Sequence, residues 1–331
     1  MKIGITGGAG YIASHIVQDL LEYGHELVLL DNFVTGNPEN LPNSTAVTFI
    51  EGDVGSEAAL NSFFSHPMDT VFHFAALKAA GESMTDPVKY SANNVRGTFH
   101  LVETMVQAGV KNLVFSSSAA VYGTPEYIPI DEDHPRKPIN YYGFTKLMME
   151  QNLEWMAELA GLRFASLRYF NAAGYDVRGR VQGLENKPQN LLPVVMEVAC
   201  GMRPSMQLFG RDYETRDGTC IRDYIHTNDL SRAHILAMEY LKKEARSLTV
   251  NLGSEEGLTV QEIIDEARKV TGVQIKVEDA PRRPGDPASL IASARKAHEL
   301  LGWKAEHSDA NTLVKSMWSV YQKHSPEASH Q

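Results

Sequence analysis

Tyr142 and Lys146 stand four residues apart in YYGFTKLMMEQNLEWMAEL. The pattern of that run predicts a helix, and the spacing puts the phenol and the ammonium on one face of it. A phenol with its ordinary pKa near 10 is a poor base at neutral pH. A cation about 4 Å away, at an effective dielectric of about 20, stabilises the phenolate by roughly 4 kcal/mol. That equals about three pK units, enough to bring Tyr142 near neutrality as a proton-transfer group. A third candidate lies upstream, where NLVFSSSAAVYG (112–123) runs as a predicted strand into three serines ending at Ser118. Serines at strand ends are commonly turn or cap residues, and Tyr/Lys pairs at this spacing arise by chance. The setting favours chemistry, because strand C-termini are where ligands dock on α/β sheets.

The opening residues supply that setting. In KIGITGGAGYIASH a strand over Lys2–Thr6 meets a glycine cluster, and Ile12, Ile16 and Leu20 then share one face of a helix. Gly7-x-x-Gly10-x-x-Ala13 has the spacing of a phosphate-binding turn, with alanine in the third place. Asp31 ends the next predicted strand, 21 residues past Gly10. In such a unit, backbone N–H groups at a helix N-terminus hold a pyrophosphate while a carboxylate takes ribose hydroxyls. Asp31 would repel a 2′-phosphate, and the following Asn32-Phe33 offers no arginine to receive one. NAD is therefore expected rather than NADP. The methyl of Ala13 is tolerable because the third small residue serves helix-on-strand packing.

These residues need elements to carry them. Short apolar strands alternate with helical patterns up to about residue 170: Lys2–Thr6, Glu26–Leu30, Val47–Ile50, Thr70–Phe74, Asn112–Phe115 and Arg163–Leu167. The alternation predicts an α/β fold, a Rossmann-type doubly wound parallel sheet. After Asn171 a loop-rich run, NAAGYDVRGRVQGLENKPQN, marks the branching of a smaller C-terminal α/β substrate lobe. The expected division is 1–170 for the dinucleotide domain, with later segments returning to it, and 171–325 mainly for the substrate lobe. Thr259 with Glu262 reads as a capping box and Gly272 as the stop of that helix. The polar tail after His324 is expected to fray.

Composition narrows the function classes. With 331 residues and 43% hydrophobic content, the chain can bury a large core without cross-links. Two cysteines, Cys200 and Cys220, make no disulfide framework, and nothing at the start reads as a secretory leader. A cytoplasmic address is expected. The longest apolar runs fall short of the roughly 20 residues that span a bilayer. A net charge of −10 without a basic block argues against nucleic acid. His73, His226 and His234 lack metal-ligand spacing, so no metal site is expected.

TGGAGYIASH, HFAALKAAGES, FSSSAAVYG, YYGFTK, LRYFNAAG, DGTCIRDYIH and RRPGDPASL together resemble the extended short-chain dehydrogenase/reductases, most closely the UDP-glucose 4-epimerase family. The resemblance runs from near Met1 to about Trp303. It implies Ser118, Tyr142 and Lys146 as the catalytic trio. It implies cofactor contacts at Gly7, Gly10, Tyr11, Ile12, Asp31, Asn32, Asp53, Val54, Phe74, Ala75, Ala76, Lys78, Asn93, Ser116 and Tyr169, besides Tyr142 and Lys146. Asp31 matches the ribose ligand, Asp53 with Val54 the adenine contact, Lys78 a ribose contact and Tyr169 a neighbour of the nicotinamide.

For a UDP-sugar substrate the resemblance implies Asn171, Asn190, Leu191, Gln207, Phe209, Arg222, Arg283, Asp286 and Leu290, with Lys78, Ser118 and Tyr142 also touching it. Phe209 would pack on uracil, and Arg222 and Arg283 would face the diphosphate, which suits guanidinium chemistry. The implied reaction takes a proton from the sugar 4-hydroxyl through Tyr142 and a hydride from C4 to tightly held NAD, then returns the hydride to the other face. It interconverts UDP-galactose and UDP-glucose. Leu290 reads either as a gatekeeper for N-acetylated sugars or as a plain core leucine, so UDP-GalNAc/UDP-GlcNAc exchange stays open as a second or alternative activity. A homodimer is implied, and Met148, Met149, Leu153 and Met156 suit a helical seam or a monomer core equally.

Two rivals are weighed. A sugar-nucleotide dehydratase needs an additional acid after the catalytic serine, and that slot holds Ala119-Ala120. A non-catalytic NAD-binding sensor predicts lost catalytic groups, yet Ser118, Tyr142 and Lys146 are all present.

Overall fold

The structure, a computed structural model, describes residues 1–186, 188–283 and 285–325. From residue 326 on, the tail expected to fray lies outside the described residues. Strands β1 (Lys2–Thr6), β2 (Glu26–Asp31), β3 (Val47–Glu51), β4 (Thr70–His73), β5 (Asn112–Ser118) and β6 (Arg163–Tyr169) form at the apolar runs of the first half. Between them lie α1 (Tyr11–Glu22), α2 (Glu57–Phe64), α3 (Ala80–Thr85), α4 (Pro87–Tyr90), α5 (Gly97–Gln107) and α6 (Tyr141–Ala160). The later chain adds β7 (Asn171–Ala173), α7 (Leu191–Ala199), β8 (Met206–Phe209), β9 (Ile221–Arg222), β10 (Tyr224–His226) and α8 (Thr227–Glu244). It ends with β11 (Leu248–Leu252), β12 (Leu258–Thr259), α9 (Val260–Thr271), β13 (Val277–Ala280), β14 (Ser289–Leu290), α10 (Arg295–Leu301) and α11 (Ala310–Tyr321).

One seven-stranded sheet, ordered β11-β6-β5-β4-β1-β2-β3, takes six of its strands from the first half of the chain. Every pair in it is parallel. Both faces are covered, which is why the strands read as near-continuous apolar runs. In β2, Leu27 and Leu29 pack with α1 and α8 residues such as Ile16 and Leu230, while Val28 and Leu30 join Leu60, Leu101 and Met149 on the other face. The strand order reverses between β1 and β4, and such a switch point opens a crevice at the strands' carboxyl ends.

α6 starts where Asn140 accepts a hydrogen bond from the Gly143 N–H at 2.8 Å and ends at Gly161 with φ +66°. Met149 and Leu153 are buried in the single chain's core, and Met148 and Met156 pack against it. The apolar stripe of α6 thus serves the core. The Thr259/Glu262 capping box is formed, and Gly272 closes α9 in the left-handed region.

The second lobe is assembled from small sheets, β10-β7, β12-β9-β14 and β13-β8, around a separate core of α7, α9 and α11. β11 leaves this half of the sequence to pair with β6, Val250 opposite Leu167.

Candidate active site

The crevice at the switch point is a cavity of about 140 Å³ lined by the glycine turn, the ends of β2 to β6, and α6. Gly7 sits at φ +73°, where a Cβ would lie 2.7 Å from the Ala75 backbone nitrogen. Only glycine fits there, and the close approach brings the turn against the loop that follows β4. Asp31 holds the turn's other flank: its Oδ2 accepts from the Ala9 N–H at 2.9 Å and its Oδ1 from the Phe33 N–H at 2.8 Å. Burial raises the Asp31 pKa, and the Phe33 and Ala9 amides oppose that rise. Ala13 is buried in helix-on-sheet packing.

Gly10, Tyr11, Ile12, Asn32, Asp53, Val54, Phe74, Ala75, Ala76, Lys78, Asn93, Ser116 and Tyr169 line the same cavity. Asp53 accepts from Asn32 Nδ2 at 2.6 Å and from the Gly55 N–H at 2.6 Å. Asn93 lies on a π-helical turn, Ser91–Arg96, between α4 and α5, where Asn94 holds the Leu77 backbone through both N–H and C=O.

Tyr142 and Lys146 also line this cavity, and the Ser118 side chain hydrogen-bonds Tyr142 from its edge. α6 comes close to the turn after β5 because residue 143 has no side chain; a Cβ there would lie 2.3 Å from the Ala120 carbonyl oxygen. Lys146 Nζ donates to the Ser116 carbonyl at 2.7 Å and stands 5.9 Å from the Tyr142 ring centroid. Burial raises the Tyr142 pKa and the Ser118 hydroxyl lowers it. Burial also lowers Lys146 to about 7, with Glu150 opposing. The phenol near neutrality expected from spacing alone is not what this arrangement gives, since desolvation holds both groups toward their neutral forms.

Behind the trio, Glu150 is locked by Arg168 Nε at 2.8 Å and Nη2 at 2.7 Å and by the Ser117 hydroxyl at 2.6 Å. The sequence reading passed over this buried pair. Its signal was available, since Glu150 follows Lys146 by one helical turn, but nothing local marked the partner.

Ser118 also faces a second cavity of about 1060 Å³, lined by Asn171, Asn190, Leu191, Gln207, Phe209, Arg222, Arg283, Asp286 and Leu290. Arg222 pairs with Asp286 at 2.8 Å and donates to the Pro287 carbonyl at 2.9 Å. The Arg283 guanidinium lies 3.9 Å from the centroid of the Phe209 ring, so one face of that ring is covered by the cation. Asn171 Nδ2 donates to the Asp223 carbonyl at 2.8 Å. Leu290 packs beside Val121, Tyr122 and Ile130 while also lining the cavity. Leu290 thus has core contacts on one side and the cavity on the other.

Phe144 is exposed and rests on Tyr141, away from the Lys146 side of the helix. His73 is held between the Thr6 and Thr98 hydroxyls at 2.6 and 2.8 Å. Among the described residues, no group of three or more His, Cys, Asp or Glu could hold a metal ion, and no helix is long and apolar enough to cross a membrane. Cys200 and Cys220 are buried and free. Glu185, which lines the smaller cavity and pairs with Lys78 at 2.6 Å, lies in the loop-rich run and gave no sequence signal.

Residues 3–253 match the NAD dependent epimerase/dehydratase family. A UDP-glucose 4-epimerase of Halalkalibacterium halodurans is 48% identical over 326 residues, covering 98% of this chain and 96% of that protein. The solved UDP-glucose 4-epimerase of Brucella ovis, in complex with NAD, superimposes with a TM-score of 0.93 at 40% identity, over 97% of this chain and 98% of that one. The enzyme of Bifidobacterium longum, solved with NAD+ and UDP, gives a TM-score of 0.90 at 38% identity, with 99% of each chain covered.

Proposed function

The chain belongs to the NAD dependent epimerase/dehydratase family, and we propose that it is a UDP-glucose 4-epimerase that interconverts UDP-galactose and UDP-glucose with bound NAD. One observation carries the reading: Tyr142 and Lys146 line the smaller cavity, while Ser118, hydrogen-bonded to Tyr142, lines the larger, arginine-bearing one. The fit of the cofactor is supported by the glycine turn, seated against the loop after β4 by the bare Gly7, by the N-terminus of α1 and by the Asp31 carboxylate beside it. When bound, NAD supplies the hydride acceptor and donor for C4 of the sugar.

The protein's residues supply the rest. Tyr142 removes the proton of the 4-hydroxyl and returns it on the opposite configuration. Because burial raises the phenol's pKa, proton loss needs positive charge nearby, and Lys146, fixed by the Ser116 carbonyl, supplies it when protonated. Ser118 donates to the reacting oxygen. Arg222 and Arg283 neutralise the diphosphate, and Phe209 presents an aromatic face to uracil. Ala119 and Ala120, also on the wall of the larger cavity, carry no acid for a dehydratase.

The same reading makes residues 1–170, joined by β11, the dinucleotide domain and 171–325 mainly the nucleotide-sugar lobe, in a cytoplasmic homodimer. Exposed Phe99 and Val106 on α5 and Trp155 and Leu159 on α6 support a helical interface. Sedimentation at a single chain's mass would remove the dimer. The function is tested by supplying UDP-galactose and UDP-GalNAc separately, without added NAD, and following each by NMR. Conversion of UDP-galactose is expected; no conversion, even with NAD added, sinks the epimerase reading.

A further inference from the structure

Glu185 is an acidic group in the dinucleotide cavity for which the reaction outlined above has no task. It pairs with Lys78 at 2.6 Å, its side chain 12% exposed and that of Lys78 45%. The partners come from different parts of the chain, Lys78 from the loop after β4 and Glu185 from the irregular run between β7 and α7. The pair therefore sits at the cavity rim with its acidic end inside. Glu185 Oε2 is buried and has no hydrogen-bond partner among the described residues.

Tyr11, the first residue of α1, lies beneath this pair. Lys78 Nζ is 5.8 Å from its ring centroid, and its hydroxyl donates to the Gly174 carbonyl. The run from Gly174 to Glu185 is thus fastened to the dinucleotide side at both ends, by Tyr11 and by Lys78. A carboxylate buried among the rings of Tyr11, Tyr175 and Tyr321, whose phenols it pushes up after burial itself has done so, is costly unless paired. Lys78 is the partner that offsets the cost.

We infer that the Glu185–Lys78 pair is a clasp that slows escape of the dinucleotide, with Glu185 a positioning residue acting through Lys78. The inference rests on the NAD-dependent reading above. An enzyme that oxidises and then reduces the same sugar gains from a cofactor that stays, and residence is set by contacts that must break on exit. The ion pair between two separately folded segments is such a contact.

The test uses the full-length protein, desalted after purification. NAD content is measured after denaturation, and dissociation is timed by exchange against isotopically labelled NAD. Glu185→Gln is expected to release NAD about three- to tenfold faster than wild type, the scale of a partly exposed charge pair. Glu185→Asp, which keeps the charge, should fall between them. Far-UV circular dichroism checks that both variants fold, and saturating NAD should restore wild-type kcat in Glu185→Gln. Equal release by wild type and Glu185→Gln overturns the clasp, as does a Glu185→Asp faster than Glu185→Gln or a wild type that retains no NAD. No sugar enters the exchange measurement, so a chain that retains NAD but fails to isomerise UDP-galactose overturns the proposed function and not the clasp.

Discussion

The two cavities on either side of the Ser118–Tyr142 contact are built by different means. The smaller one is a property of the sheet: Gly7, Asp31, Asp53, Phe74, Ser116 and Tyr169 each stand within two residues of the carboxyl end of a parallel strand. Strand register alone brings these positions together. The larger one is an assembly of side chains from short, separate pieces around residues 171–173, 188–194, 206–209, 219–224 and 283–290. Backbone builds the first and arginine, amide and aromatic groups build the second. A site of the first kind tolerates almost no change at its glycines, whereas one of the second kind loses affinity by increments.

Tyr142→Phe, at the junction, should affect neither cavity's shape and should have the largest effect. Turnover of UDP-galactose is expected to fall about 10²–10⁴-fold, with NAD content unchanged. A variant that keeps a tenth of wild-type turnover would remove Tyr142 from the chemistry. The contrast itself is broken or sharpened by a pair of substitutions. Gly7→Ala puts a methyl 2.7 Å from the Ala75 nitrogen at φ +73°, a strain of about 1–3 kcal/mol, and should cost most of the bound NAD. Arg222→Ala should leave NAD content intact and raise KM for the UDP-sugar about 30-fold, within the range for truncating a buried charged partner. If Gly7→Ala retained NAD, or Arg222→Ala shed it, the division into a backbone site and a side-chain site would fail.

The gentlest probe is pH. Burial lowers His15 to about 4, His73 to about 3 and His234 to about 4, all in or beside the central sheet, and His226 in the second lobe to about 3. Between pH 6.5 and these values the unfolded chain binds protons that the folded chain does not. Stability therefore falls as pH drops below 6.5, by about 1.4 kcal/mol per unit for each imidazole. Denaturant midpoints at pH 7, 6 and 5 should decline in steps. A flat profile would mean that these rings protonate in the folded state.

What could be read from sequence follows the same division. ELVLLD and NLVFSSS announced buried strands because both faces of a covered sheet select apolar residues. The glycine turn, Asp31 and the Tyr142/Lys146 spacing are local patterns, and the residues they marked do surround one cavity. The two- to four-residue strands β7 to β10 and β12 to β14 are too short for alternation to register. Arg222, Arg283 and Phe209 carry no local sign of their task and were reached only through resemblance. Arg283 lies over the Phe209 ring, a contact between residues 74 positions apart that no spacing rule provides. Desolvation reversed the expected direction for Tyr142 because burial is a tertiary quantity. Glu185 was missed for the same reason, its partner lying 107 positions away.

The seventh strand has a consequence for how the chain is made. β6 is complete at Tyr169, but the β11 that covers its outer edge ends only at Leu252. At roughly 5–20 residues per second of synthesis, the ribosome needs several seconds to supply it. Throughout that interval β6 offers unpaired N–H and C=O groups, and α8, which covers Leu167 and Val114, is also unfinished. A nascent chain stalled there presents a hydrophobic sheet with an open edge, the template on which copies pair with one another. The loop-rich stretch after Asn171 is therefore a delay, and the tempo at which it is translated sets how long the edge of β6 stays open.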